Sequence, residues 1–276
     1  MIPSRWPSTL ADTGTSDDRG AMTVELDRRP FPAERRIVLG GLRSGKRMAT
    51  MTALVQVDVS EAWERIHADD LSPTAFVLAC VGRAVAAHPE VHAYRGWSGR
   101  LVMHRHVDIA TMVEVQTPDG YFPLAHPVRN SEARSVSEIS SELRSIRHDP
   151  SASTSGRLLM RWGSKAGQMP GLIGLGYLTA RHSPRVRRRT GTVTASSVGM
   201  MMGGNGFAIG TPTISTLTVI IGGTGERPWV VDGELTVRTI LDLTVQIDHR
   251  VVDGAPAARF GATLRHLLEH PDLITW

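Results

Sequence analysis

Residues 241–271 read LDLTVQIDHRVVDGAPAARFGATLRHLLEHP. Leu241, Leu243, Val245 and Ile247 alternate with other residues, the period of a strand with one apolar face. The alternation stops at Asp248-His249. Gly254 permits a sharp turn, and Pro256 suits the first turn of a helix. Phe260, Leu264, Leu267 and Leu268 then recur at helical spacing and form one apolar stripe. A histidine thus stands at the tip of a buried strand, just ahead of a helix start, where a side chain is held rigidly at the edge of a cleft. Imidazole, with an ordinary pKa of ~6.5, accepts and returns a proton near neutrality. His249 is therefore a candidate general base; a structural histidine is the alternative.

Outward from this stretch, strands and helices intermix. Leu54 to Val59 alternates as a strand, and Ser72-Pro73 supplies an N-cap and a first-turn proline for a helix over 74–87. Val107 to Val115 alternates again, TPDGYF (117–122) makes a turn, and Val136 to Arg147 reads as a helix. Ser151 to Arg189 is low in pattern and rich in Gly and Arg. Gly191 to Val198 is a β-branched run, hence a strand. MMMGGNG (200–206) reads as a flexible turn, and Leu217 to Ile221 as a buried strand. Val230 to Leu235 is a hairpin, because Asp232-Gly233 tolerates the positive φ of a tight turn. The mixture predicts an α/β fold with a sizeable mixed sheet. Residues 1–34, rich in Pro, Ser, Asp and Arg, read as a loose N-terminal arm, leaving 35–276 as one domain.

The chain has 276 residues, 41% hydrophobic and 21% charged, with a formal net charge of +4. That length buries a sizeable core. Basic residues are mostly dispersed, without the single stripe of a nucleic-acid binder. The single cysteine, Cys80, rules out a disulfide within the chain and reads as a buried structural thiol. No apolar run is long enough to span a membrane, and the N-terminus lacks the apolar core of a signal peptide. The expectation is a soluble cytoplasmic protein. His104 with His106, and His88 with His92, lack a convincing third ligand, so no metal is expected. GGNG (203–206) lacks the spacing of a phosphate loop. Met200 to Met202 reads as packing. Arg181, Arg185, Arg187, Arg188 and Arg189 form the one basic run. A solvated face is the favoured reading, and contact with a ligand's phosphates or an acidic protein is the functional one.

The segment DHRVVDGAPAARF (248–260) resembles the DHRxxDGAxxARF signature of the catalytic domain of 2-oxo acid dehydrogenase dihydrolipoyl acyltransferases, a family related to chloramphenicol acetyltransferase. GTVTASSVG (191–199) is similar to that family's GTFTISNxG, and PWVVDGELTVR (228–238) lies ahead of the last strand in family order. The resemblance covers about Arg35 to the C-terminus. It implies a chloramphenicol acetyltransferase-like α/β fold, a mixed sheet with flanking helices, assembled as a homotrimer with its active site between subunits. It implies that His249 takes the proton from an acceptor hydroxyl or thiol, which then attacks an acyl thioester. Ser196 would donate a hydrogen bond to the tetrahedral oxyanion, and Asp253 would support the turn and the histidine geometry. Ser197 and Thr194 remain rivals to Ser196, because strand alternation does not fix which side chain faces the cleft.

The sequence departs from that family in some respects. Lys46 and Lys165 are its only lysines, neither in a lipoyl-like setting. Long linkers and a proline-histidine segment ahead of the first strand are missing, and 151–189 looks longer and more basic than its counterpart. These departures favour a stand-alone acetyltransferase that uses acetyl-CoA and a small-molecule hydroxyl acceptor. The chain is similar to enzymes that acetylate a primary hydroxyl in tetronate polyketide assembly, and a carrier protein is a further candidate partner. The competing readings are an accessory acyltransferase core of a 2-oxo acid dehydrogenase complex and an inactive trimeric scaffold.

Overall fold

The computed structural model describes residues 33–117, 120–153, 157, 170–199 and 204–276. Helix α1 spans Ala33–Gly45 and leads into strand β1, Thr50–Asp58. Helices α2 (Ser60–Ala68) and α3 (Pro73–Ala87) follow. A short ribbon pairs β2 (Tyr94–Arg95) with β3 (Leu101–Val102). Strands β4 (Ile109–Thr117) and β5 (Gly120–Val128) form a hairpin, and helix α4 spans Val136–His148. Helices α5 (Pro170–His182) and α6 (Pro184–Thr190) precede β6 (Val193–Ser197). The long strands β7 (Leu217–Val231) and β8 (Glu234–Asp248) and helix α7 (Gly254–Glu269) complete the fold.

Six strands make one mixed sheet in the order β1-β8-β7-β6-β4-β5. β6 is parallel to both β4 and β7, and the other pairings are antiparallel. On one face Val193, Ala195, Leu217, Val219, Leu243, Val245 and Ile247 meet Phe76, Leu78 and Val81 of α3 and Phe260, Leu264 and Leu268 of α7 in a single core. Each such large side chain contributes on the order of 2–3 kcal/mol by leaving water. The polar residues that alternate with this apolar set in β8 are buried as well. The stretch Gly204–Thr216 lies over them. The Gly206 N–H donates to the Asp242 carboxylate at 2.8 Å, and Gln246 Nε2 donates to the Gly210 carbonyl at 3.0 Å. The end of β8 is thus covered on both sides.

The expected strand over 54–59 is β1, and the expected helix over 74–87 is α3, capped as read: the Ser72 hydroxyl accepts from the Ala75 N–H. The helix expected over 136–147 is α4, opened by a capping box between Ser135 and Glu138. The hairpin at 230–235 and the strand at 241–247 are one continuous arm, turned at Asp232 (φ 52°) and Gly233 (φ 86°). Ser151 to Arg189, patternless in sequence, holds α5 and α6. Three glycines and the exposed leucines of α5 disguise its helical period, but Pro170 and Pro184 each stand at a helix start. Residues 1–32 of the expected arm, Pro118-Asp119 of the expected turn and residues 200–203 of MMMGGNG lie outside the described residues.

Candidate active site

Strand β8 ends at Asp248, and two neighbours then fix the backbone of His249. The Asp248 N–H bonds to Thr216 O at 2.9 Å, and the His249 N–H donates to Ala49 O, just before β1, at 2.7 Å. Asp248 is buried and held by Arg250 through two side-chain hydrogen bonds of 2.8 and 2.5 Å. Burial works to raise the Asp248 pKa, but the bonds from Arg250 outweigh it and hold the carboxyl below its ordinary value. The turn at 249–252 closes through Val251 and Val252 N–H bonds to Asp248 O. The His249 side chain projects from this clamped turn, half-exposed.

Asp253 occupies the N-cap position of α7 but makes no capping hydrogen bond with its side chain. Instead Oδ1 stands 3.7 Å from His249 Nδ1, with the carboxylate 88% exposed. That is longer than a hydrogen bond, and at this exposure solvent screens the contact.

The three hydroxyls of β6 separate by face and by partner. Val193 and Ala195 are buried in the helix-covered core, and Ser197 shares their face by alternation. Thr194 and Ser196 lie on the opposite face. The Thr194 hydroxyl is engaged with Ser215 Oγ at 2.7 Å. The Ser196 side chain is half-buried, and its hydroxyl makes no hydrogen bond among the described residues.

Register decides how Ser196 relates to His249. Ser196 stands opposite Ile220 of β7, which stands opposite Thr244 of β8. His249 lies five residues further along β8, beyond its end. That is about 17 Å along the strand and about 10 Å across it, on the order of 20 Å in all. Within one chain the two side chains therefore do not meet at one carbonyl group.

The sequence reading missed the shell behind His249. Arg181 of α5 donates to Ser44 O at 2.8 Å. Burial lowers its pKa, as do the nearby Arg250 and Arg47, while Asp248 works the other way. The aspartate ahead of the histidine was a signal for the Asp248–Arg250 clamp, because a carboxylate at the buried end of a strand needs a partner. Arg187, read as part of a solvated run, is in fact fully buried. It lies over the Tyr94 ring at 4.7 Å and donates to Ile214 O at 2.7 Å. Burial pulls its pKa down to about 10. Cys80 is buried, and burial raises its thiol pKa, which leaves it unreactive. Among the described residues no three His, Cys, Asp or Glu side chains gather as a metal site. No described helix is long and apolar enough to cross a membrane.

The model of the 2-oxoacid dehydrogenases acyltransferase (catalytic domain) matches residues 29–155 and 186–276. The chain belongs to this family. A lipoamide acyltransferase component of the branched-chain alpha-keto acid dehydrogenase complex of Pseudomonas aeruginosa is 45% identical over 83 residues, 29% of this chain and 18% of its own. The mitochondrial dihydrolipoyllysine-residue succinyltransferase component of the 2-oxoglutarate dehydrogenase complex of Saccharomyces cerevisiae is 28% identical over 271 residues, covering 90% of this chain and 50% of its own. The chain thus spans half or less of the length of these relatives. The fold is shared with an Azotobacter vinelandii dihydrolipoamide acetyltransferase, at TM-score 0.68 and 20% identity over 91% of this chain and 96% of that one. That enzyme was investigated for the role of a serine, a histidine and an asparagine, four positions after the histidine, in its mechanism. A chloramphenicol acetyltransferase has the same fold at TM-score 0.50 and 15% identity, over 87% and 96% of the two chains. The expected fold class is therefore correct.

Proposed function

We propose that this chain is an acyltransferase that moves an acyl group between coenzyme A and the thiol of a dihydrolipoyl group, with His249 as general base. The observation that carries this reading is the clamped strand end that presents His249, in a chain of the acyltransferase family. The two relatives are named as a lipoamide acyltransferase and a dihydrolipoyllysine-residue succinyltransferase. The spacing of His249 and Asp253 equals that of the histidine and asparagine studied in the Azotobacter enzyme.

His249 takes the acceptor proton, and the acceptor sulfur attacks the thioester carbonyl carbon. Ser196 donates a hydrogen bond to the oxyanion, a contribution of ~3 kcal/mol to the barrier. The carbon–sulfur bond to coenzyme A then breaks, and the imidazolium returns its proton to the leaving thiolate. Because Ser196 and His249 of one chain are far apart, the working unit is a homotrimer in which each site takes one residue from each of two neighbours.

A second reading, transfer of acetyl to the hydroxyl of a small polyketide tetronate, draws on one feature. The family model leaves residues 156–185 unmatched, and Arg181 of α5, in that segment, lies within electrostatic reach of Asp248 and Arg250 beside His249. Supplying acetyl-CoA with dihydrolipoamide, or with a hydroxyl acceptor, and following acetylated product by chromatography tests both. His249→Ala is expected to lower kcat about 100-fold or more without loss of fold. Near wild-type turnover by that variant would sink the mechanism.

A further inference from the structure

Two long stretches of the chain contain no acidic residue. One runs from Val91 to Val107, between Glu90 and Asp108, and the other from Pro150 to Gly225, between Asp149 and Glu226. The fold sets parts of them side by side. His182, the last residue of α5, bonds through Nδ1 to Arg95 O at 2.7 Å and its ring lies tilted against Trp97 with centroids 5.0 Å apart. Arg187 of α6 covers Tyr94, whose hydroxyl bonds to His104 Nε2 at 2.9 Å. The β2–β3 ribbon and α6 thus form one continuous face.

Six exposed arginines stand on these two pieces: Arg95, Arg100, Arg105, Arg185, Arg188 and Arg189. Among the described residues none of them pairs with a carboxylate. Two acids beside the ribbon are committed elsewhere: Asp108 to Arg129 and the Asn130 N–H, and Glu132 to His106 and the Val107 N–H. The six carry more positive charge than the chain's formal net of +4, so the remainder of the chain is net negative. Between the arginines lie Trp97, Leu101 and Met103, each more than half exposed. Exposed Trp, Met and Arg together mark a protein interface, whereas aliphatic side chains add nothing toward a phosphate backbone.

The face is also connected to the chemistry. Arg181 donates to Ser44 O near the end of α1 and lies within electrostatic reach of Asp248 and Arg250, while His182, the next residue, bonds to the ribbon. Consecutive residues of α5 therefore join the basic face to the strand end that carries His249.

We propose that this face docks an acidic acyl carrier protein, which presents its acyl thioester on a phosphopantetheine arm. The role, though not the surface, rests on the acyltransferase reading. The choice follows from chemistry: the reacting end of such an arm is that of coenzyme A, so one site accepts both donors. The protein-borne form then needs only a basic surface to replace contacts with the nucleotide.

The test uses the full chain, acetyl-CoA, and an acetylated acyl carrier protein as probe. Arg100→Glu, Arg185→Glu and Arg188→Glu are combined in one variant. The wild type is expected to use both donors. In the variant, KM for the carrier protein rises at least about tenfold and kcat/KM with acetyl-CoA stays unchanged. Failure of the wild type to bind the carrier protein, or an equal loss with both donors, overturns the proposal. So does tighter binding of a DNA duplex or a lipoyl domain than of the carrier protein. Dissociation of the native assembly in the variant also overturns it, since the face is then a contact between copies. If the wild type turns over neither donor, the acyltransferase reading fails. Calorimetry with the unloaded carrier protein then decides the surface: binding lost in the variant supports it, and no binding overturns it.

Discussion

At the scale of single residues, buried charge in this protein is compensated where it matters to the sheet. Asp242 is 1% exposed and receives hydrogen bonds from Arg227, Gln56 Nε2 and the Gly206 N–H. Burial would raise its pKa, but these bonds prevail and hold it below its ordinary value. The unfolded carboxyl titrates at ~3.9, so the folded state binds fewer protons just below that pH. The stabilisation is fully present above the unfolded value and is lost as pH falls through the folded one. Asp242→Asn is expected to cost about 3 kcal/mol at neutral pH, because Arg227 loses its counter-charge. It should also flatten the loss of stability below about pH 4. Urea midpoints measured from neutral pH to pH 3 check both; an unchanged acid slope would refute the assignment. Arg187 differs in having no carboxylate partner among the described residues, and its charge is met by carbonyl and hydroxyl oxygens and the Tyr94 ring.

At the scale of elements, the covering of β8 depends on backbone approach. A Cβ on Gly223 of β7 would run into the Gly204 carbonyl and the Asn205 backbone. Rigid backbone on the receiving side leaves no rotamer to absorb the collision. Gly223→Ala is expected to displace the 204–206 segment and to destabilise by about 2–3 kcal/mol. The Gly206 bond to Asp242 would loosen with it, so the Gly223→Ala and Asp242→Asn effects should be less than additive. Thermal melts of the two single variants and the double variant measure this coupling, and full additivity would show the two contacts to be independent. The β7–β8 turn obeys a local rule instead: Asp232 and Gly233 both take positive φ, as a two-residue hairpin demands.

At the scale of the whole molecule, the separation of Ser196 from His249 within one chain has a consequence for assembly. If each active site draws its serine and its histidine from different chains, inactive variants must rescue each other. Ser196→Ala retains a good base, and His249→Ala retains a good hydrogen-bond donor. Mixed freely in a closed ring, about a quarter of the interfaces join an intact serine to an intact histidine. Co-expression should therefore restore activity well above that of either variant alone. A monomer in light scattering, or no recovery in mixed assemblies of verified composition, would exclude the shared site.

The sequence by itself determined the local features that rest on nearest neighbours. The alternation of Leu241 to Ile247, the Ser72-Pro73 cap, the Asp232-Gly233 turn and the stripe from Phe260 to Leu268 were legible because φ/ψ preference and side-chain periodicity are short-range. The motif around His249 was legible for the same reason, since strand, turn and helix start are contiguous in sequence. Other features depended on residues far apart in the chain. That Arg187 is buried and Arg188 exposed was decided by Tyr94, the Ile214 carbonyl and the Ser215 hydroxyl, over 25 residues away in either direction. The polar side of β8 is buried because residues 204–216 fold across it. The separation of Ser196 from His249 follows from strand order and register, which pair residues distant in sequence. No local pattern encodes such pairings: they are fixed only when the hydrophobic faces of all the strands must share one core.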